Sequence, residues 1–335
     1  MTLAPEILEQ YTALTVACGL ADLSGAGLVE VTGADRVQLL HGFTTNDVKK
    51  LPALRGCEAF VTSPQGKTVG HLLIVQRGDS LLLVSTPGQA AGLIAHFDKY
   101  VISEDVKLTD RTEQLNLFLL AGPSAGLALR SVIGSEPPAD SLAFANATMG
   151  DATLLIGRID SLGVPAFLIL ADRVDAPRLQ AAMGQAGAIP CGSAVLELVR
   201  LEAGLPLFGQ DFGDDNLPQE IGRDAQAISF TKGCYLGQET IARIDALGHV
   251  NRLLTGVKFT AAELPPLGTK LLVEGKEVGQ LTSIAWSPKL AAPLGLALVR
   301  RAQSTPGKCL TSSDAAGEVV RLPLSTDLAG AEKSA

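Results

Sequence analysis

The first apolar positions of the chain, Ile7, Tyr11, Leu14 and Cys18 in PEILEQYTALTVACGL, recur at the spacing of one helix face. This predicts an N-terminal helix with Cys18 as a packed thiol. LVEVTG predicts a short strand. GADRVQLLHGF predicts a helix with Asp35 near its N-terminus, where a carboxylate can accept backbone N–H groups. HLLIVQRGDSLLLVS holds two apolar runs around Arg77-Gly78-Asp79, a hairpin pattern. GQAAGLIAHFDKYV is helical, with Leu93, Phe97 and Tyr100 on one face.

From about Leu115 the pattern reads strand (LNLFLL), helix (SAGLALRSVIG), strand (ATLLIGR), strand (PAFLILA), helix (DRVDAPRLQAAMGQAG), with GSEPPADS as a loop. A β-α-β-β-α run predicts a ferredoxin-like half-sandwich over about 113–190. CGSAVLELVRLEAG predicts a helix with Val195, Leu198 and Leu201 inward. The Pro/Gly/Asp-rich stretch LPLFGQDFGDDNLPQEIGRD is too long for a plain connector, and long segments of this kind are often functional. After Asn251, short strands at close spacing predict a small barrel over 251–323, with a disordered tail at 324–335. The class is α+β, with residues 1–250 carrying the larger region.

Composition narrows the function. The net charge of −8 disfavours a broad nucleic-acid surface, so direct tRNA binding is not expected. No apolar run approaches the roughly 18 residues of a membrane span, and the N-terminus lacks a signal-peptide pattern. The five cysteines, Cys18, Cys57, Cys191, Cys234 and Cys309, are scattered and form no CxxC. That fits a reducing, cytoplasmic setting rather than a disulfide framework or a zinc site.

One cysteine stands in unusual surroundings, in SFTKGCYLGQETIARID at 229–245. Gly233 and Gly237 permit tight turns and close approach by a ligand. GQETIARI predicts a helix start, and its N–H groups together with Lys232 would favour a thiolate at Cys234. The residues leave four readings open: nucleophile, redox thiol, metal or cluster ligand, and inert loop cysteine. None of His41, His71, His96 and His249 has metal-ligand spacing, and no metal site is expected. His249, 15 residues after Cys234, reads as a surface or helix-end residue rather than one folded back on the cysteine, and His71, which interrupts a strand, as a half-buried, hydrogen-bonded histidine rather than one facing a cavity. Asp211, Asp214 and Asp215 lack EF-hand spacing and read as a solvated loop. No GxGxxG and no GxxxxGK[ST] occurs, which leaves nucleotide-binding readings without support.

KGCYLGQE at 232–239 resembles the defining motif of the YgfZ-type branch of the glycine-cleavage T-protein (GcvT) superfamily. TGADRVQLLHGFTTNDVKKL at 32–51, RLEAGLPLFGQDF…NLPQE at 200–220 and SIAWSPKLAAPLGLALVRR at 283–301 resemble its N-terminal, central and barrel segments. The resemblance implies three lobes around a central hole with a folate there, so tetrahydrofolate is the expected cofactor. It implies that Glu202 contacts the pterin and that Glu220 lines the same region. It implies that Lys232, Cys234 and Glu239 form a functional cluster facing the cavity.

The function it implies is a folate-binding accessory protein of iron–sulfur cluster assembly or repair, with iron–sulfur assembly proteins as partners and an indirect effect on tRNA modification. The first alternative is a tetrahydrofolate-dependent aminomethyltransferase of glycine cleavage. Gly70 and His71, standing where that activity leads one to expect carboxylates, speak against it, because the transfer needs a positioned acid. The second alternative is a non-enzymatic scaffold that docks a partner through the cysteine loop.

Overall fold

The computed structural model describes residues 3–261, 263–312 and 315–324; the rest of the expected disordered tail lies outside them. Helix α1 (Pro5–Val16) opens with a proline in its first turn and buries Tyr11, Ala13 and Leu14. Cys18 is buried as predicted, but it lies past the helix end, directly before β1 (Gly19–Asp22).

The predicted hairpin is the centre of a five-stranded antiparallel sheet. Its strands are β2 (Gly27–Thr32), β3 (Gly56–Thr62), β4 (Thr68–Gln76), β5 (Leu81–Ser85) and β6 (Lys107–Asp110), in the order β3-β4-β5-β2-β6. Helices α2 (Arg36–Phe43) and α3 (Ala90–Asp98) bury Leu39, Leu40, Leu93 and Phe97 against Val29, Val61 and Ile74 of one sheet face. Asp35 does not cap α2: its carboxylate accepts the backbone N–H of Asp105 at 2.9 Å.

The second sheet holds the predicted β-α-β-β-α run as β7 (Leu115–Ala121), α4 (Ala125–Ile133), β9 (Ala152–Ile159), β10 (Ala166–Asp172) and α5 (Ala176–Gln185). An edge strand, β8 (Phe144–Met149), was not legible in the sequence, and β11 (Ile189–Cys191) follows α5. The strand order is β11-β1-β7-β10-β9-β8. The ferredoxin-like order is thus interrupted by β1, which pairs antiparallel with β7 and parallel with β11. Every residue of β7 is buried because its two faces feed two cores. Phe118 and Leu120 pack with Leu129 of α4 and Leu179 of α5, while Leu117 and Leu119 join the core of Tyr11, Leu14 and Val195.

Helix α6 (Ser193–Ala203) buries Val195, Leu198 and Leu201 as predicted and ends on Gly204 at φ 69°. The segment that follows carries α7 (Asp224–Ala227) and α8 (Gln238–Leu247). The chain then forms a closed six-stranded barrel of β12 (Arg252–Thr260), β13 (Lys270–Val273), β14 (Lys276–Ser287), β15 (Ala292–Arg300), β16 (Cys309–Thr311) and β17 (Ala316–Val320), which pairs back onto β12. A Cβ on Gly295 would fall 2.4 Å from Leu281 Cδ1 and 2.6 Å from the Ser283 carbonyl oxygen, so only glycine lets β15 approach β14 there. Among the described residues, no helix is long and apolar enough to cross a membrane.

Candidate functional site

A helix leaves its last carbonyls without intrahelical partners. At the end of α2 the cysteine motif supplies donors for two of these carbonyls, His41 and Gly42, and for two more just beyond the helix. Lys232 Nζ donates to the carbonyls of His41 (2.6 Å), Thr44 (2.7 Å) and Asn46 (2.8 Å). The backbone N–H of Leu236 donates to Gly42 (2.9 Å), and Thr44 Oγ1 returns to Leu40 (2.6 Å). Thr62 Oγ1 donates to the Leu236 carbonyl at 2.6 Å, fixing the loop to β3. Gly237, at φ 81°, lies so close to the β3–β4 turn that a Cβ would meet the Ser63 carbonyl oxygen at 2.5 Å.

The loop is therefore held at both ends and presents Cys234 to solvent. Lys232 is only 6% exposed and sits 4.9 Å from the Tyr235 ring centroid. Burial pushes its ammonium down to about 8, with Asp47 and Cys57 pulling the other way. The expected pairing of Lys232 with the thiol does not occur; all three of its hydrogen bonds go to carbonyls. Glu239 is exposed in the first turn of α8. Burial pushes the thiols of Cys18 and Cys191 up to about 11 and that of Cys57 to about 12. Cys234 and Cys309 are the exposed cysteines.

Glu202 and Glu220 both accept hydrogen bonds from the protein itself, and the segment of Glu220 packs against α8 beside the cysteine motif, with Gln219 Nε2 donating to the Ile241 carbonyl at 2.8 Å and Ile221 in one core with Tyr235. Glu202 is 2% exposed. Its carboxylate accepts from Tyr11 Oη (2.8 Å), Ser287 Oγ (2.5 Å) and the Lys289 backbone (3.3 Å), with Lys289 Nζ at 3.6 Å. It thereby ties α1 and α6 to the turn between β14 and β15. Burial, together with the Glu202 charge beside the Tyr11 hydroxyl, pushes that phenol far up. Glu220 accepts from Asn216 Nδ2 (2.8 Å) and the Leu217 backbone (3.4 Å), and it meets the Arg252 guanidinium at 3.4 Å.

Asp211 is not in a solvated loop: it is 1% exposed and ion-paired with buried Arg200 at 2.6 Å. It also accepts from Ser283 Oγ (2.5 Å) and Thr282 Oγ1 (2.8 Å). Asp214 and Asp215 are exposed, as expected. The Arg200–Asp211 pair locks α6 and the 205–211 segment onto β14, which accounts for the arginine and the aspartate of RLEAG…GQDF.

A group that sequence reasoning missed lies on the other face of the first sheet. Glu58 on β3 and His71 on β4 are diagonal neighbours, since Glu58 pairs with Leu73 and Phe60 with His71. His71 Nε2 and Arg223 Nε both meet Glu58 Oε1 at 2.7 Å, and Arg223 Nη2 holds Oε2. Burial alone would raise the Glu58 carboxyl, but the hydrogen bonds from Arg223 and His71 outweigh it and hold the group at about 2. His71 stacks on Phe60 with centroids 4.7 Å apart, and Phe212 lies edge-on at 5.9 Å. The only signal for Glu58 was a single carboxylate in the run GCEAFVT, and its partners lie on distant segments.

Phe212 also lines a cleft of about 760 Å³ between α3, the β3–β4 turn and residues 208–214. None of Glu202, Glu220, Lys232, Cys234 and Glu239 lines that cleft. His249 is an exposed helix-end residue, as predicted. Gly122–Gly126 spells GxSxG between β7 and α4, but the groove at Ser124 is lined by Ala17, Cys18, Leu127, Ala128, Ser131, Ala186 and Gly187. With no histidine or carboxylate among them, a triad reading has no base.

Residues 2–232 match the model of the GCVT N-terminal domain, and residues 252–324 match the glycine cleavage T-protein C-terminal barrel domain. The chain belongs to the glycine-cleavage T-protein family. This family member is 31% identical over 309 residues to the aminomethyltransferase of Halalkalibacterium halodurans, covering 90% of this chain and 84% of that one. It is 29% identical to the aminomethyltransferase of Bacillus subtilis over 88% of its own length and 82% of the relative's. It is also 29% identical to a putative chloroplastic transferase of Arabidopsis thaliana, over 91% of this chain and 70% of that protein. The crystal structure of aminomethyltransferase T from Bartonella henselae has the same fold, with a TM-score of 0.86, 21% identity and coverage of 95% and 89%.

Proposed function

We propose that the protein is a tetrahydrofolate-dependent one-carbon transferase of the aminomethyltransferase type. The observation that carries this is 31% identity to an aminomethyltransferase over 90% of the chain. Tetrahydrofolate, when bound, would supply the amine that receives the one-carbon unit. Glu202 and Glu220, which motif resemblance assigns to the pterin, do not fit that role as they stand, because protein donors already surround both carboxylates. Their work in this chain is to hold the sheets and the barrel in register. Ammonia release from an aminomethylated lipoyl carrier, dependent on added tetrahydrofolate, tests the reading; no release by the native protein refutes it.

A second reading follows the YgfZ-type motif: a folate-binding accessory protein of iron–sulfur cluster assembly, with Cys234, Lys232 and Glu239 as its working residues. Its support is the exposed thiol on a braced loop. Gly70 and His71 at positions where carboxylates are expected for aminomethyl transfer favour it too. In cells, loss of iron–sulfur enzyme activity in Cys234→Ala would support it, and full activity would remove the thiol from the reaction.

A further inference from the structure

The imidazole of His71 has the arrangement of a histidine set up to move a proton. A carboxylate can only accept, so the 2.7 Å contact with Glu58 Oε1 requires the proton of a neutral ring to sit on Nε2. Nδ1 is then a bare acceptor. It has no hydrogen-bond partner among the described residues, and it is absent from the buried polar atoms that lack one, so it reaches solvent. The ring cannot swing freely, since Phe60 stacks on one face and Phe212 meets it edge-on. The side chain is 15% exposed, enough to be touched and too little to be a surface group. Glu58 cannot turn away, because Arg223 grips both of its oxygens. A structural histidine needs one partner. Here one nitrogen is fixed by an anchored anion, and the other is left open.

We infer that His71 is the proton-transfer group of the site: Nδ1 takes the proton of an amine substrate, and Glu58, anchored by Arg223, holds the imidazolium that forms. The inference rests on the transferase reading. As the amine nitrogen bonds to the transferred carbon, the bond from that carbon to the departing group breaks and the departing group keeps the electron pair; the nitrogen releases one proton, which Nδ1 accepts. The imidazolium returns that proton to the departing group, and the ring ends neutral. Glu58 and Arg223 are positioning residues; His71 alone meets the substrate.

The test has two arms on the full-length protein. Nitrogen-15 NMR of labelled histidines in mildly alkaline buffer reads the tautomer without any substrate. His71 is expected as the Nε2–H form with a bare Nδ1, and an Nδ1–H form overturns the inference. The second arm compares ammonia release by the native protein, His71→Gln and Glu58→Gln. Glutamine at position 71 keeps a donor for Glu58 but offers no base. Its kcat should fall about 100-fold or more with KM changed by less than about 3-fold, in the range of general acid–base effects. Glu58→Gln should lower kcat about 10-fold with KM unchanged. His71→Asn serves if the glutamine variant fails to fold. A kcat within about 3-fold of native in a folded variant overturns the inference. Absence of turnover in the native protein removes the transferase reading and the substrate assigned to His71 with it, whereas the tautomer result still reports on the dyad itself.

Discussion

Replacing Lys232 by methionine separates a structural lysine from a catalytic one. The side chain keeps its approximate volume but loses all three donors. Two of the three carbonyls it serves are in buried hydrogen bonds, those of His41 and Thr44. Leaving each without a donor costs about 1–3 kcal/mol. Loss of the ammonium over Tyr235 adds about 0.5–1 kcal/mol. Against this, the drop of the ammonium from 10.5 to about 8 means that burying it costs about 3 kcal/mol, which methionine does not incur. The net expectation is a loss of about 2 kcal/mol. Cys234→Ala, at an exposed position, should stay within about 0.5 kcal/mol of native. Urea unfolding read by two probes checks both, because a chain with several cores need not unfold in one step. Native stability in Lys232→Met, combined with activity lost as in Cys234→Ala, would refute the capping argument and return the lysine to the chemistry.

Three further outcomes follow from the buried polar groups. Glu202→Ala should lose about 2–4 kcal/mol by denaturant unfolding, since Tyr11 and Ser287 lose their acceptor; a stable variant would mean that the carboxylate is free for a ligand. Asp211→Ala leaves Arg200 paired with Glu197 but removes its fully buried acceptor, which also serves Ser283, and should lose about 1.5–3 kcal/mol, visible as a lower thermal midpoint; an unchanged midpoint contradicts the clamp. Glu58 is held at about 2 against an ordinary 4.5, so it contributes about 3 kcal/mol that is fully present above about 4.5 and lost as pH falls through 2. Acid titration of stability should lose that slope in Glu58→Gln, and an identical slope would contradict the assignment.

The elements that periodicity could read were those with a strong one-sided pattern, such as β7, β10, α6 and the barrel strands. β8, FANATM, escaped because its alternation involves small and polar residues. The placement of β1 between β7 and β11 escaped because it is a pairing across most of the chain, with no local trace. The cysteine motif was legible as a loop before a helix, but not as the donor set for α2, since Lys232 and His41 are 191 positions apart. For the same reason the glutamates read as ligand contacts from motif alone: their donors Tyr11, Ser287 and Arg252 come from other segments. His71 was legible as a hydrogen-bonded histidine. Its carboxylate and the anchoring arginine became visible only when β3, β4 and the 222–224 segment met.

The measurement that tests the central claim most directly is an anaerobic calorimetric titration of tetrahydrofolate into the native protein. The transferase reading predicts saturable binding of one folate per chain at about 1–10 μM, about −7 to −8 kcal/mol. Heats that do not saturate up to about 1 mM, weaker than about −4 kcal/mol, would contradict it.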